Sequence, residues 1–296
     1  MSFNKILVAV DLAEESANFV LQTARRLAGD RNLEVIHVVE RGHFYNMGDP
    51  ALALVDDLHA QVTKEVTAYL NKICAANGVT DYAMLEGHAA TVIQDHAIEH
   101  GHDLIIMGTH GRHGIKLVLG STANAVLHGT RCNVLAVRVP DQSGKSTPAE
   151  QKYQRLLSAV DLSDETAQVL DIAQTVASEH SAELHVTHVI KPFQHAYAGV
   201  NPATLADVGI QFEHEAANQA QQQLKNIASD RGLSATAVSV QHGTPATEVH
   251  RLVDELGIDL VVVGTHGKHG VELLLGSVAN AVIHGANCDV LAVRVS

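Results

Sequence analysis

Two glycine-rich stretches hold the residues whose types and spacing suit the binding of a phosphate group. In the first stretch a short apolar run ends at Gly108, a second glycine follows at Gly111, and Gly120-Ser121 precedes a run that favours a helix. Glycine allows a ligand to approach the backbone closely, and serine before such a run is a good N-cap. Free N–H groups at the start of that helix would lie beside the glycine loop, which predicts an anion site.

The same pattern occurs a second time. The stretch from Gly101 to Val139 recurs from Gly257 to Val295 with most of its residues unchanged. The residues that correspond to those above are Gly264, Gly267, Gly276 and Ser277. A tight strand-to-helix turn in which the glycines serve packing is the alternative interpretation, and the duplication of the glycines, the serine and their spacing favours the anion site.

Strand patterns alternate with helix patterns in each repeat. The strand patterns are Asn4–Val10, Leu33–Val39, Tyr82–Leu85, Leu104–Met107 and Asn133–Val139, then Gln154–Val160, Leu184–Ile190, Ala235–Gln241, Leu260–Val263 and Asp289–Val295. Between them lie segments with apolar residues at three- and four-residue spacing, which is typical of amphipathic helices. We therefore predict an α/β fold of two tandem repeats, each a parallel sheet with helices on both faces.

An aspartate ends the first strand pattern of each repeat. Asp11 and Asp161 both stand in the shared string AVDL. In a parallel α/β sheet the ligand binds at the carboxyl ends of the strands, where the winding direction reverses. If the first and fourth strands are neighbours at this reversal, the aspartate and the glycine loop of each repeat face one crevice.

Composition narrows the class of protein. The chain has 296 residues and a formal net charge of −13, which argues against a nucleic-acid partner because that needs a basic surface. No apolar run reaches the roughly 20 residues of a membrane span. The N-terminal sequence has no signal-peptide pattern, and three cysteines without a C-x-x-C motif fit a reducing compartment. We expect a cytoplasmic protein without a membrane partner.

Two domains joined by a linker are expected from the repeats. The predicted bounds are residues 1–140 and 153–296, with a linker at 141–152 that is rich in Pro, Gly, Ser and Gln. The last strand of each repeat is an apolar edge strand, and such an edge tends to pair with another. We predict that these two strands pair within the chain, so that the tandem resembles a dimer; a further homodimer is compatible with this.

Histidines and aromatic residues offer further candidates. The glycine loops contain H-x-x-H pairs, whose spacing can hold a transition metal if other ligands arrive; these are His110, His113, His266 and His269. No such ligands lie nearby in the sequence, so we expect no metal site. His37, His188, His128 and His284 are interpreted as core or helix-end residues. Aromatic residues in two dissimilar loops predict either lids or self-anchored loops; these are Phe44, Tyr45, Phe193 and Tyr197.

Several of these strings together resemble one known family. The opening AVDL, the ending H-V-(V/I) of the second strand, and G-T-H-G followed by L-G-S-x-A-N-A-V-x-H-G-x-x-C-x-V-L-A-V-R-V are similar to the universal stress protein (UspA) family. The duplication resembles its tandem members. The resemblance implies a five-stranded sheet of order 3-2-1-4-5 in each repeat, with the repeats associating through their last strands.

The resemblance also implies a ligand. The ATP-binding branch of the family uses G-x2-G-x9-G-(S/T) for the phosphates, an aspartate after the first strand, and backbone of the second strand for adenine. Carried over, these roles fall on Asp11, Val38, Gly108, Gly111, Gly120 and Ser121, and on Asp161, Val189, Gly264, Gly267, Gly276 and Ser277. The spacer here has eight residues, one fewer than the pattern. The residue two after the aspartate, commonly serine in the family, is Ala13 in the first repeat and Ser163 in the second.

Three functions remain open from the sequence. The leading hypothesis is a stress-response protein that binds ATP or a related adenine nucleotide, with or without Mg²⁺, in one or both repeats and acts as a regulatory or protective module. The second is a nucleotide-free scaffold of the same fold. The third is slow metal-assisted ATP hydrolysis using Asp11 or Asp161; no nucleophile paired with a base is evident, so no catalytic residue is predicted.

Overall fold

The chain divides into two compact units, Phe3–Lys152 and Tyr153–Ser296, which we call the first and second half. The structure is a computed structural model, and it describes residues 3–29, 31–40, 52–109, 119–139, 152–192, 202–265 and 275–295. Each half alternates strands with helices, as the sequence predicts.

The first half contains nine strands and helices among its described residues. They are β1 (Ile6–Ala9), α1 (Glu14–Ala28), β2 (Leu33–Val39), α2 (Leu52–Ala76), β3 (Asp81–Glu86), α3 (Ala89–Glu99), β4 (Leu104–Gly108), α4 (Ser121–Gly129) and β5 (Asn133–Val137).

The second half repeats this order. Its elements are β6 (Arg155–Ala159), α5 (Thr166–His180), β7 (Glu183–Ile190), α6 (Pro202–Asp230), a 3-10 turn (Ala235–Ala237), β8 (Val238–His242), α7 (Pro245–Leu256), β9 (Leu260–Gly264), α8 (Ser277–Gly285) and β10 (Asp289–Val293).

All strands pair in parallel within each half, in the order β3-β2-β1-β4-β5 and β8-β7-β6-β9-β10. The predicted order 3-2-1-4-5 is therefore confirmed in both halves. Ala9 is the register partner of Met107, and Ala159 is that of Val263. The first and fourth strands are thus neighbours at the point where the winding direction reverses, which is where a parallel α/β sheet binds its ligand.

The core lies between the sheet and its helices. All four residues of β1 are buried, and so are Leu104–Met107 of β4, as expected of strands covered on both faces. The predicted apolar stripes of α1 and α5 are buried too; their residues are Ala17, Val20, Leu21, Ala24 and Leu27, and Val169, Leu170, Ala173, Val176 and Ala177. Burial of these stripes fixes the two helices against the sheet.

Three details differ from the sequence prediction. The apolar stripe that the sequence predicts on α2 includes Leu58, Val62 and Ile73. Among its described side chains, Leu58 is 61% exposed and Val62 is 38% exposed, whereas Ile73 is buried. The third strand of the second half begins at Val238, because Ser234 accepts a hydrogen bond from the N–H of Thr236 and a 3-10 turn precedes the strand. The last strands end at Val137 and Val293, two residues earlier than predicted.

Candidate functional site

Each half contains a cavity at the carboxyl ends of its first, second and fourth strands. The cavity of the first half has a volume of about 450 Å³ and that of the second about 610 Å³, within the range of small-molecule sites. The sequence-predicted residues in the first cavity wall are Asp11, Val38, Gly108, Gly120 and Ser121. Those in the second are Asp161, Val189, Gly264, Gly276 and Ser277.

Other sequence candidates lie outside the described residues. These are Gly111 and Gly267, the loop histidines His110, His113, His266 and His269, and the aromatic residues Phe44, Tyr45, Phe193 and Tyr197. The structure therefore brings together the two ends of each glycine loop with the aspartate and the second strand.

A buried threonine holds the two ends of each glycine loop together. The N–H of Thr109 donates to the carbonyl of Val137 at 2.9 Å, and the N–H of Gly120 donates to the carbonyl of Thr109 at 2.8 Å. Thr265 makes the same two bonds, with Val293 at 2.9 Å and Gly276 at 2.6 Å. The start of α4 and α8 is thus fixed beside the end of β4 and β9. Sequence reasoning missed this threonine, although it stands in the duplicated string G-T-H-G.

The helix start differs from the predicted serine cap. Gly120 and Gly276 occupy the N-cap position, and Ser121 and Ser277 are the first helical residues. The carbonyl of each glycine accepts the first intrahelical hydrogen bond. The donor is the N–H of Asn124 in α4 and the N–H of Asn280 in α8, both at 2.9 Å. Neither helix has a side-chain hydrogen bond at its cap. The first-turn N–H groups therefore face the cavity without the usual capping oxygen, and such groups favour an anion.

The aspartates of the two cavities differ in their hydrogen bonds. Both carboxylate oxygens of Asp11 are buried without a hydrogen-bond partner among the described residues. In contrast, Oδ1 of Asp161 accepts from the N–H of Ser163 at 3.0 Å and from its hydroxyl at 2.6 Å. Leu162 between them has a φ of 57°, a left-handed conformation that costs a non-glycine residue energy. A buried carboxylate without donors is costly, so Asp11 is suited to receive donors from a ligand.

A histidine lies in each cavity wall. Nδ1 of His37 is 2.8 Å from the carbonyl oxygen of Val10, and Nδ1 of His188 is 2.8 Å from that of Val160. Since a carbonyl only accepts, Nδ1 carries the proton in both rings and Nε2 of the neutral ring is an acceptor. The sequence interpretation placed both residues in the core, and the structure instead gives them a share in the cavity wall. Their matching place in the H-V-(V/I) string is the signal that points to them.

His284 and His128 lie at helix ends, in line with their interpretation from the sequence. His284 lies in the last turn of α8, and its Nδ1 is 2.8 Å from the carbonyl oxygen of Asn280. His128 occupies the equivalent last turn of α4. Both are therefore remote from the start of the helix, where the cavity lies.

Charge at the edge of the two cavities is reversed. Glu40 follows β2, and its Oε1 accepts from the N–H of Ala89 at the start of α3 at 2.9 Å. The second half has Lys191 and Pro245 at these two places. Proline has no N–H to satisfy, so the carboxylate is not needed and a lysine is accommodated. At this place of the cavity edge the first half therefore has a carboxylate and the second an ammonium group.

Chemical groups for catalysis are scarce in the described ranges. The three cysteines are buried, and burial raises the pKa of the Cys74 thiol to about 11 and the pKa values of Cys132 and Cys288 above their ordinary range. Such thiols are poor nucleophiles at neutral pH. Within the ranges that the structure describes, no group of three or more His, Cys, Asp or Glu side chains could hold a metal ion. None of the helices in these ranges has the length and apolar character needed to cross a membrane.

Comparison with known proteins agrees with this geometry. The model of the universal stress protein family matches residues 2–138 and 152–294. Universal stress protein A homologs 1 and 2 of Coxiella burnetii are 38% and 39% identical to the chain over 141 and 142 residues. These matches span 48% and 47% of the chain and 96% and 97% of the relatives. The crystal structure of a universal stress protein from Archaeoglobus fulgidus has a TM-score of 0.67 at 20% identity, covering 98% of both chains, and shows the same fold.

Proposed function

Because the chain belongs to the universal stress protein family as a tandem of two family domains, we propose that it binds an adenine nucleotide, ATP or a close relative, in both halves. In this proposal the protein acts in the cytoplasm as a stress-response module whose regulatory or protective output depends on the bound nucleotide. The support comes from the two cavities and the groups that face them.

One observation carries the proposal. Among the described residues, the first cavity has a donor-rich helix start without a side-chain cap at one side and a buried carboxylate without donors, Asp11, at the other. A phosphate group satisfies the first, and hydroxyl or amino groups satisfy the second. A nucleotide carries both kinds of group in one molecule, whereas a phosphate ion or an apolar ligand carries only one or neither.

The span of the cavity fits an extended ligand. Its wall runs from Val38 on β2 across β1 to Gly108 on β4, which at the usual strand spacing is about 10 Å. We place the phosphates at the start of α4 and at the glycine loop, the sugar hydroxyls at Asp11, and the base along the end of β2. In the second half the same places are the start of α8, Asp161 and the end of β7 around Val189.

The role of a metal ion is secondary in this proposal. A divalent ion such as Mg²⁺ would arrive with the phosphates, and Asp11 or Asp161 is the carboxylate that fits it in each cavity. Among the described residues, no cluster of three or more His, Cys, Asp or Glu side chains could hold a metal ion without the ligand. The role that we propose for the two halves is to bind and release the nucleotide.

Mass spectrometry of the small molecules released by denaturing the purified protein tests the proposal. An adenine nucleotide at up to two molecules per chain is the expected result. Protein that releases no nucleotide, and that takes up none when ATP is supplied, would instead be a nucleotide-free scaffold of the same fold.

A further inference from the structure

A cluster of three histidines around one glutamate lies in the first half, away from the cavity. Glu34 is the second residue of β2, His96 and His100 are at the end of α3, and His102 precedes β4. Oε1 of Glu34 is 2.5 Å from Nε2 of His96, and Oε2 is 3.0 Å from Nε2 of His102. The rings of His96 and His100 stack with their centroids 4.0 Å apart. We call these four residues the Glu34 cluster.

His102 is the most enclosed member of the Glu34 cluster. Its side chain has no exposed surface, and neither of its ring nitrogens has a hydrogen bond to a described residue. The 3.0 Å separation from Glu34 allows electrostatic pairing, although the ring is not aligned for a hydrogen bond. Its backbone carbonyl accepts from the buried thiol of Cys132 at 3.1 Å. Because Nε2 faces the Glu34 carboxylate, a second proton on this ring would go to Nδ1, which has no acceptor among the described residues.

The second half replaces the cluster with apolar residues. Leu252, Leu256 and Ile258 occupy the places of His96, His100 and His102. Leu252 and Ile258 are buried. The residue at the place of Glu34 is His185, which pairs with Glu183 at 3.3 Å instead. The same fold is thus built at this position without the three histidines, so the fold does not require them.

Other charged groups surround the Glu34 cluster. The ammonium of Lys5 donates to the carbonyl of His100 at 2.7 Å and adds positive charge near His102. Asp103 accepts from the N–H groups of Asn4 and Lys5. Asp81 on β3 is the exposed register partner of Glu34. Glu34 is therefore the carboxylate in direct contact with the rings, and it can neutralise one imidazolium but not three.

We propose that the Glu34 cluster is an acid-sensitive contact that holds the end of α3 against β2 at neutral pH and loosens it in mild acid. The proton is the ion to which we assign the response, because an imidazole ring changes its charge between about pH 5 and 8. The proposed response is confined to the first half, because Leu252, Leu256 and Ile258 replace its three histidines in the second half.

The sign of the response follows from two pKa shifts. Burial lowers the pKa of His102 and outweighs the charge of Glu34, which acts in the opposite direction. His102 therefore takes up a proton below about pH 6.5 in the unfolded chain but only at lower pH in the folded first half. The free energy of unfolding of the first half consequently falls as the pH drops below about 6.5. Burial by itself would raise the pKa of Glu34, but the hydrogen bond from His96 and the charges of the histidines lower it overall. The contribution of Glu34 to the stability of the first half is therefore also lost as the pH falls, but at a lower pH than that of His102.

The cluster lies on the helix that reaches the first cavity. Ala89 and Ile93, at the start of α3, line the cavity, while His96 and His100 lie at its end. Loosening α3 would change one wall of that cavity. If the proposed function holds, nucleotide affinity at the first site would fall in acid; the loosening itself needs no nucleotide.

Hydrogen exchange of the ligand-free full chain, followed by mass spectrometry and corrected for the intrinsic effect of pH, tests the proposal. Uptake of one proton shifts an opening equilibrium at most tenfold per pH unit. We expect the protection of residues 89–106 to fall about tenfold between pH 7.5 and 5.5. In a variant with the residues of the second half, His96→Leu, His100→Leu and His102→Ile, the fall should be less than about twofold.

Two further results decide the interpretation. His88→Asn removes an exposed histidine from the start of the same helix, and this variant should retain the acid response of the wild type. Unchanged protection of residues 89–106 down to pH 5.5 in the wild type would overturn the proposal, and so would an equal fall in the triple variant. If the triple variant does not fold, the wild-type pH profile remains decisive. Because no nucleotide is present, neither outcome depends on the proposed function.

Discussion

The hydroxyl of Ser163 donates to Oδ1 of Asp161 at 2.6 Å, and Asp11 lacks this bond because alanine stands at residue 13. Asp161 is therefore partly satisfied before a ligand arrives, whereas Asp11 accepts no hydrogen bond from the part of the chain that the structure describes. A ligand that donates to both carboxylates gains more at Asp11, since it replaces no internal bond there. The two sites should differ in affinity for this reason.

Ser163→Ala tests that difference. The variant should lower the free energy of unfolding of the second half by about 1–2 kcal/mol, because a hydrogen bond to a carboxylate is lost. Nucleotide affinity at the second site should rise by about threefold, since Asp161 becomes freer to accept from the ligand. Denaturant unfolding and titration calorimetry measure the two effects. Ala13→Ser is the converse control and should have the opposite effects in the first half. A loss of nucleotide affinity in Ser163→Ala that equals its loss of stability would contradict the account.

The reversed charge at the cavity edge supplies a second prediction. Lys191→Glu should weaken nucleotide binding at the second site by about three- to tenfold at low salt, because exposed charges interact by about 1 kcal/mol. The effect should shrink in about 0.5 M salt. Glu40→Lys should not simply strengthen nucleotide binding at the first site. This variant also removes the hydrogen bond from the N–H of Ala89 to Glu40 and destabilises the start of α3.

Lys225→Glu is the matched control for Lys191→Glu. Lys225 is an exposed residue of α6 and is not part of the cavity wall. The same change of net charge at this position should leave affinity within about twofold. Equal effects of the two variants would show that net charge, and not Lys191, governs the second site.

A buried polar pair in the second half provides a prediction about stability. The hydroxyl of Tyr153, which is fully buried, donates to Oδ2 of Asp289 at 2.7 Å. Tyr153→Phe should lower the free energy of unfolding by about 2–3 kcal/mol, because the bond to a charged acceptor is lost. The first half has Phe3 and Asn133 at these places. Adding Asp289→Asn should therefore recover part of the loss in a double-mutant cycle, and a purely additive cycle would argue against coupling.

The last strands support a prediction about assembly. Within each half β5 or β10 is the edge of the sheet order, and an apolar edge tends to pair with another strand. We predict that the two last strands pair within the chain, so residues 1–143 produced separately should self-associate. Analytical ultracentrifugation over a range of concentrations measures this. A folded fragment that stays monomeric at the highest concentration would contradict the pairing.

The fold could be predicted from the sequence because its signals are local and repeated. The buried strands of both halves are short apolar runs, and the stripes of α1 and α5 follow helical spacing, so periodicity identifies them. Leu58 on α2 shows the limit of that argument. An apolar stripe predicts which face of a helix is apolar, but the length of the sheet decides how much of the stripe is covered.

The sequence predicted several residues that line each cavity, but not the hydrogen bonds that these residues make. The strand order brings Asp11 beside Gly108, as the duplication and the family resemblance imply. The serine cap was wrong, because the carbonyl of Gly120 accepts the first intrahelical bond and Gly120 is therefore the N-cap. The absence of donors at Asp11 and the ring orientation of His37 depend on tertiary geometry, which residue types and spacing do not specify.

The most direct measurement is titration calorimetry with ATP on the ligand-stripped chain and on Gly120→Asp, Gly276→Asp and the double variant. Gly120 has a φ of −59°, and an added Cβ would be in ordinary contact with the Thr109 carbonyl at 3.4 Å, so aspartate is accommodated. Its carboxylate would cap α4, leave stability unchanged or slightly raised, and exclude phosphate. The account predicts two sites in the wild type, one in each single variant and none in the double variant. Absence of saturable binding in the wild type, or two intact sites in the double variant, would contradict it.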